Sequence, residues 1–433
     1  MKITRRSILP ACLTLFSLIS AASAARAQDL KSSEPKERAR AAERLGKRGS
    51  AADIPALAEL IKDPVQDVRS EAVGAIIRIG TQHSLPPLIE ATRDAVPEIQ
   101  ATAVDGLVNF YYVGYVKTGW TAALKSIGSD LKNRFRKPEP IIIDPYVTAS
   151  DDTVDAIARV IVGGTSMESR ANAARAAGIL SGKRALPQLL EALRSRNSTV
   201  ILESVRAIEK IGDLSVGPSL TFLLRDLDED VQFAVVQAMG QLLVKEAVPD
   251  LVDLVKTSNK KKIRRQALIS LAKIPETNQR ALFQSYLDDR DAQLRGAAAE
   301  GIGRAGNQED RQRIVDAFAG EKSESARLSM AFAAVKLGDY TFLNYLYDGL
   351  NSMFHRREAS PFLVELARDP EVLSRLYVPL TTGTIPQKKE LAYVVSVSGN
   401  RDSMPHLEKL THDSDTAVAQ EAIRALKNLQ ARL

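Results

Sequence analysis

A repeat of about 31 residues constrains the fold of this chain more than any other feature of its sequence. Near the amino terminus, like residues recur at this distance without a gap. The recurring pairs are Gly49 and Gly80, Pro55 and Pro86, and Asp63 and Asp94. A fixed period of this length is typical of stacked two-helix units, because each unit buries its apolar face only against its neighbours.

Val68 serves as the anchor of the repeat, since an apolar residue stands at the equivalent position of most units. Two intervals are wider than one period: an insert follows Ile99, and a degenerate repeat lies between Ala326 and Gln387. The anchor positions are Glu37, Val68, Ile99, Ser169, Val200, Val231, Ile263, Leu294, Ala326, Gln387 and Val418.

Each unit is predicted to contain a first helix, a turn, a second helix and another turn. Apolar residues stand four, five and eight positions after the anchor, as in Ala72, Val73 and Ile76, which is the spacing of one helix face. Glycine often follows the first helix and proline often begins the second, and both residue types favour those positions. The core is predicted to be aliphatic, because aromatic residues make up only 5% of the chain.

The consensus of the first helix, Val-Arg-x-x-Ala-Ala-x-Ala-Leu-Gly-x-Ile-Gly, is followed by a second helix that begins with proline. This pattern resembles the HEAT-like repeats of the phycobilisome-lyase type, over nearly all of residues 33–433. The resemblance implies an all-α fold, an α-α superhelix (HEAT-like solenoid) with about 11–12 two-helix repeats. It also implies that the second helices line the concave face.

The amino-terminal segment, residues 1–27, is predicted to be an export signal. Lys2, Arg5 and Arg6 precede an apolar run that is too short to span a membrane, and small residues follow it. The mature chain is then expected to begin at about Gln28, in the periplasm or another extracytoplasmic compartment, by either the general or the twin-arginine route. The signal carries four cations and no acid, so its removal lowers the formal charge from +6 to +2. Nucleic acid is therefore not an expected partner.

The remaining chain divides into three segments on this reading. N-terminal repeats cover residues 33–111, and an insert over residues 112–150 lies in the turn between the two helices of the third repeat. Repeats continue over residues 151–433, with the degenerate repeat near 355–386.

No catalytic, cofactor or metal site is predicted. The glycines of Gly301-Ile302-Gly303-Arg304-Ala305-Gly306 match a dinucleotide-binding pattern, but they end a first helix instead of following a strand. Asp226, Asp228 and Asp230 alternate like calcium ligands, yet the residues that an EF-hand loop requires after them are missing.

Two columns of opposite charge run through the repeats. Arginine recurs just after the anchor, as in Arg38 and Arg69, and aspartate recurs five residues before it, as in Asp63 and Asp94. We expect ion pairs or helix caps that link successive repeats; an anion-binding ridge is the functional alternative.

Two segments are candidates for binding a partner or a surface. The insert combines an apolar stripe at helical spacing with cations beside it, and a second segment places five cations within six residues. The candidate residues are Tyr115, Trp120, Leu124, Lys125, Ile127, Leu131, Lys132, Phe135 and Arg136 in the insert, and Lys260, Lys261, Lys262, Arg264 and Arg265 in the basic segment.

These observations favour a non-enzymatic protein-protein interaction or scaffold protein of the cell envelope, which binds an unidentified protein partner on the solenoid surface. One alternative is an enzyme or enzyme subunit of the HEAT-repeat lyase or hydroxylase type. Another is a peripheral membrane protein that docks on an anionic membrane surface through the 112–150 insert.

Overall fold

A computed structural model describes residues 30–115, 142–274 and 278–433, and this part of the chain is all-α, with no strand. The helices before the centre of the chain are α1 (Pro35–Arg48), α2 (Ile54–Leu60), α3 (Gln66–Ile79), α4 (Leu85–Ala91), α5 (Pro97–Tyr111), α6 (Asp151–Gly163), α7 (Met167–Ile179), α8 (Leu186–Ala192) and α9 (Ser198–Ile211).

The helices continue at the same spacing to the end of the chain. They are α10 (Glu229–Gln241), α11 (Val248–Thr257), α12 (Lys261–Lys273), α13 (Arg280–Tyr286), α14 (Ala292–Ala305), α15 (Arg311–Gly320), α16 (Glu324–Lys336), α17 (Leu343–Gly349), α18 (Arg356–Leu366), α19 (Pro370–Thr382), α20 (Ile385–Ser398), α21 (Met404–Leu410) and α22 (Thr416–Arg432). The predicted class, a HEAT-like α-solenoid, is confirmed.

The predicted anchor is the third residue of a first helix in every repeat, from Glu37 in α1 to Val418 in α22. Anchor side chains such as Val68 and Ile263 are fully buried, and only Glu37 among them is exposed. No described helix packs on the outer side of α1, so the first anchor position tolerates a charge.

The apolar columns behave differently in the last helix. Ala72, Val73 and Ile76 are fully buried, as the spacing predicts. In α22, by contrast, the equivalent Ile423 is 45% exposed. The expectation of burial is wrong at this position, because no described helix follows α22 to cover that face.

Turn residues follow the prediction with two exceptions. Gly49, Gly80 and Gly306 have φ values of 71°, 59° and 71°, which is the left-handed conformation that ends a helix. Gly399, predicted to act in the same way, has a φ of −68° instead. Pro218 does not begin an α-helix, because the second helix of its repeat is a 3₁₀ helix over Leu214–Arg225.

The chain forms two compact units. Unit 1 contains the described residues up to Ile143 together with Ala149–Ala207, and unit 2 contains Asp144–Thr148 and Ile208–Leu433. The boundary falls within α9, so it does not coincide with the end of a repeat.

The carboxy-terminal end of the insert is held against unit 1. The Ile143 N–H donates to the carbonyl of Ile179 at 2.9 Å, and the Ser150 N–H donates to the Tyr111 hydroxyl oxygen at 3.0 Å. Ser150 then caps α6. The predicted export signal and most of the insert lie outside the described residues. Within the described part of the chain, no helix is both long and apolar enough to cross a membrane.

Candidate functional site

The structure describes one candidate residue of the insert. Tyr115 is buried, with 8% of its surface exposed, so its side chain is not presented to a partner. The other insert candidates lie outside the described residues: Trp120, Leu124, Lys125, Ile127, Leu131, Lys132, Phe135 and Arg136.

The basic segment at the start of α12 is largely neutralised by acids of neighbouring repeats. Lys261 and Arg265 both approach Asp291, at 3.3 and 2.6 Å. Lys262 pairs with Asp230 at 3.2 Å, and Lys260 lies 3.8 Å from Glu229. A further residue of this segment, Arg264, is partly buried. These contacts link α12 to its neighbours, which explains how several cations are tolerated at a helix start.

The two charged columns predicted from the sequence form ion pairs and caps. Arg38 donates to Asp63 at 2.6 and 2.9 Å, and Asp63 also accepts from the Val65 N–H. Arg69 donates both to Asp94 and to the carbonyl of Asp63, so it connects two turns. The hydrogen bond from Arg38 lowers the pKa of the Asp63 carboxyl. The columns therefore connect successive repeats in unit 1.

Unit 2 repeats this arrangement with other residue types. Arg295 pairs with Glu321 at 2.6 Å, and Lys388 pairs with Asp413 at 2.8 Å. The hydrogen bond from Arg295 lowers the pKa of Glu321 to about 2. These ion pairs at the turns are therefore structural, and the cations of the four pairs, Arg38, Arg69, Arg295 and Lys388, are occupied.

The glycine and aspartate patterns have structural roles as well. Cβ atoms at Gly301 and Gly303 would come within 2.6 Å of Phe283 and Ala333, so these glycines permit close helix packing. The Asp228 carboxylate caps α10 by accepting from the backbone N–H groups of Asp230 and Val231. In the described ranges, no group of three His, Cys, Asp or Glu residues is arranged to hold a metal ion.

A groove in unit 2 has a volume of about 1000 Å³. It runs across the first helices α10, α12, α14, α16 and α18 and ends at the start of α19. Its polar lining residues are Gln241, Lys273, Gln293, Glu300, Arg304, Ser325, Ser329, Lys336, Tyr340, Arg357, Glu358, Glu365, Arg368 and Asp369. The resemblance to HEAT-like repeats implied a concave face lined by second helices, yet first helices line this groove.

Arg304 occupies the centre of the groove. Its guanidinium donates to Glu300 at 3.0 Å, to Glu365 at 2.9 Å and to the carbonyl of Ala272 at 3.1 Å. It also stacks over the ring of Phe332, 4.7 Å from the centroid. Although burial opposes its charge, the neighbouring Glu300 and Glu365 raise the pKa of Arg304. This side chain therefore links four first helices, α12, α14, α16 and α18.

The acids of the groove all have partners. Glu300 accepts from Ser329 at 3.1 Å as well as from Arg304. Glu358 accepts from Ser325 at 2.7 Å, and the Asp369 carboxylate caps α19 by accepting from the Glu371 N–H. Glu300 and Glu365 therefore share the charge of Arg304, whereas the carboxylates of Glu358 and Asp369 are hydrogen-bonded by neutral groups.

Lys273 is the groove cation whose environment least suits its charge. Its side chain is partly buried at the end of α12. Burial lowers the pKa of Lys273; Glu300 offsets part of this effect, and Arg304 adds to it. Within the described residues, Lys273 forms no ion pair or hydrogen bond through its ammonium group. A partly desolvated ammonium in this position favours an incoming anion.

Sequence reasoning did not identify Lys273, Arg304 or Lys336 as site residues. Each of them stands ten positions after an anchor, at Ile263, Leu294 and Ala326 respectively. A search for charge recurring at this position would have found the column. Its significance depends on the groove, which the repeat pattern does not reveal.

Unit 1 carries charged residues on the same face of its first helices, but there they are buried. Arg175 donates to Glu203 at 3.2 Å, and both residues are 3% exposed. Glu203 also accepts from Arg206 at 2.8 Å. Asn172 donates to Asp105 at 3.0 Å in the same layer. We call Asp105, Asn172, Arg175, Glu203 and Arg206 the buried cluster.

The comparisons with known proteins agree with the repeat pattern. A family model described as HEAT repeats matches residues 23–108 and 217–289. These two segments are therefore similar to HEAT repeats. No curated protein matches the chain in sequence.

Solved structures that align with this chain share little sequence with it. The complex of CpcE and CpcF of phycocyanin lyase from Nostoc sp. PCC7120 is 16% identical over 60% of this chain and 92% of that chain, with a TM-score of 0.36. Kap121p, in a complex with Pho4p, is 11% identical over 99% of this chain and 58% of that chain, with a TM-score of 0.44. An engineered protein is 19% identical over 94% of this chain and 98% of its own length, with a TM-score of 0.35. At such values, these similarities carry no argument about function.

Proposed function

We propose that this protein is a non-enzymatic scaffold of the cell envelope that binds a partner protein along the groove of unit 2. The groove supports this proposal because it combines an enclosed surface with charged and polar groups contributed by successive repeats. Protein recognition by solenoids uses surfaces of this kind, on which each repeat contributes a few side chains at a fixed spacing.

The dimensions of the groove suit a polypeptide segment. Packed helices lie about 8–10 Å apart, so the three intervals from α12 to α18 correspond to roughly 30 Å. An extended chain advances about 3.3 Å per residue, and roughly nine residues would therefore fill this length. The polar groups of Gln293, Ser325 and Ser329 line the groove and can pair with backbone amides.

Site-specific photo-crosslinking in the native envelope tests the binding site. A photoreactive residue at Gln293 or Pro361, which are exposed on the groove, should crosslink to a partner protein. The matched control is Gln308, an exposed turn residue of the same unit that does not line the groove. Equal crosslinking from Gln308 and from the groove positions would contradict binding in the groove.

The envelope location is part of the proposal and rests on the export signal at residues 1–27. Cell fractionation and amino-terminal sequencing of the recovered protein test it. We expect an extracytoplasmic protein that begins at about Gln28. Recovery from the cytoplasm with Met1 still present would refute the location.

A further inference from the structure

The acidic and basic side chains of the groove differ in the contacts that they make within the protein. Glu300, Glu358, Glu365 and Asp369 all accept hydrogen bonds from the protein itself. Four cations of the lining, by contrast, form no ion pair with any described residue: Lys273, Lys336, Arg357 and Arg368. The groove therefore contains four cations that are available to pair with the acidic groups of a ligand.

These cations are contributed by the first helices α12, α16 and α18 and by the turn that follows α18. Lys273 ends α12, Lys336 ends α16, and Arg357 lies in the first turn of α18. Arg368 lies between α18 and α19. The free positive charge thus extends along the groove instead of gathering at one point, which matches a ligand whose negative charges are spaced along a chain.

We propose that the groove binds an extended acidic segment of a partner protein, whose carboxylates pair with Lys273, Lys336, Arg357 and Arg368. This inference rests on the proposed function and names the chemistry of the partner. Lys273 contributes most, because a partly desolvated ammonium gains more from a carboxylate than a solvated one does.

The interspersed acids distinguish this ligand from other polyanions. Glu300 and Glu365 lie at the centre of the groove, beside Arg304, and would repel the closely spaced phosphates of a nucleic acid. A peptide can place neutral residues opposite these acids and carboxylates opposite the cations. A lipid bilayer presents a flat surface, which an enclosed groove across several helices cannot follow.

Fluorescence anisotropy with labelled peptides tests the proposal on the full mature chain. The probe is a twelve-residue peptide in which Glu alternates with Ala, and its control is the same peptide with Gln in place of Glu. We expect the Glu peptide to bind in low salt, the Gln peptide to bind at least about tenfold more weakly, and added salt to weaken binding of the Glu peptide.

Variants locate the binding site. Lys273→Met should weaken binding of the Glu peptide by at least about tenfold. The matched control is Lys409→Met, which removes an exposed cation of unit 2 outside the groove and should leave the affinity unchanged. A thermal melt of each variant shows whether it is folded. Lys336→Met combined with Arg357→Met provides a second test at exposed positions.

Several results would overturn the inference. They are equal binding of the Glu and Gln peptides, unchanged affinity in both Lys273→Met and the double variant, and tighter binding of single-stranded DNA or of phosphatidylglycerol vesicles than of the Glu peptide. If groove crosslinking to a protein persists while the Glu peptide fails to bind, the proposed function stands and the acidic ligand is wrong. If groove crosslinking is itself absent, the proposed function fails.

Discussion

The buried cluster of unit 1 and the groove of unit 2 occupy the same face of the repeat. Arg175 and Arg206 stand six positions after their anchors, as does Glu300 in unit 2. In unit 1, Arg175 and Glu203 are sealed inside, each 3% exposed. In unit 2, the equivalent face borders the groove of about 1000 Å³.

This difference shows that the same face of the repeat is closed in unit 1 and open in unit 2. Where neighbouring side chains close over the charges, as around Arg175 and Glu203, an ion pair must be satisfied internally, because each buried charge loses its hydration. Where the face stays open, a cation such as Lys273 can remain without an ion-pair partner in the protein and is available to an external anion. Arg175 and Lys273 share a face of the repeat, although they stand six and ten positions after their anchors, and the degree of closure decides whether the charge is sealed or open.

The largest expected effect follows from breaking the buried cluster. Glu203→Ala removes the carboxylate that accepts from both Arg175 and Arg206. We expect a loss of about 3–5 kcal/mol in the free energy of unfolding, because a buried guanidinium loses its counter-charge. Urea denaturation measures this loss.

Glu168→Ala, at an exposed position of α7, is the control and should cost less than about 0.5 kcal/mol. If Glu203→Ala costs no more than this control, the cluster is not sealed as the structure indicates. The comparison with the groove would then fail.

The equivalent change in the groove should cost less. Glu365→Ala removes one carboxylate from Arg304, which keeps its hydrogen bonds to Glu300 and to the carbonyl of Ala272. We expect a loss of about 1–2 kcal/mol, measured by the same denaturation. A loss as large as that of Glu203→Ala would show that the ion pairs of the groove contribute as much to stability as those of the buried cluster.

Lys273→Met should instead raise the free energy of unfolding by about 1 kcal/mol, since it removes a charge that burial penalises. Burial lowers the pKa of Lys273 in the folded state. The folded chain therefore releases this proton before the unfolded chain does, and the penalty disappears as pH rises towards about 10.5.

Thermal melts at several pH values test this sign. The difference between Lys273→Met and the unchanged protein should be largest near neutral pH and should shrink in alkaline solution. A variant that is less stable at neutral pH would mean that Lys273 already has a stabilising partner.

The smallest effect concerns the ladder of ion pairs at the turns. The pKa of Glu321 is lowered to about 2 by Arg295. Its stabilising contribution is therefore present above about pH 4.5 and is lost as pH falls towards 2. We expect at most about 1 kcal/mol, because solvent and salt screen a partly exposed pair. Glu321→Gln should remove this acid dependence, and an unchanged acid melting profile would contradict it.

Much of the fold could be predicted from the sequence, because repeats of this kind are specified by local signals. The positions of Val68, Ile263 and Val418 marked segments that form first helices, and each anchor is the third residue of its helix in the structure. The pairing of Arg38 with Asp63 could also be predicted, because both residues recur in register with the repeat. Gly399 and Pro218 depart from the pattern where the local backbone takes another conformation.

The candidate site could not be predicted in the same way. The charges of Lys261 and Arg265 were visible in the sequence, but the acid that neutralises them, Asp291, comes from the next repeat. Lys273 and Arg304 occupy ordinary positions of their helices, and nothing in their immediate sequence distinguishes them from solvated surface residues.

The sequence by itself therefore determined the repeat, the order of helices and turns, and the ion pairs between repeats, because these depend on contacts between residues at fixed separations along the chain. Only the tertiary structure decided that Arg175 and Glu203 are sealed while Lys273 faces an open groove. The physical reason is that closure depends on how closely helices of several repeats approach. Gly303, for example, lets its helix lie so close to Ala333 that no Cβ atom would fit between them, and such approaches are set jointly by side chains from different repeats.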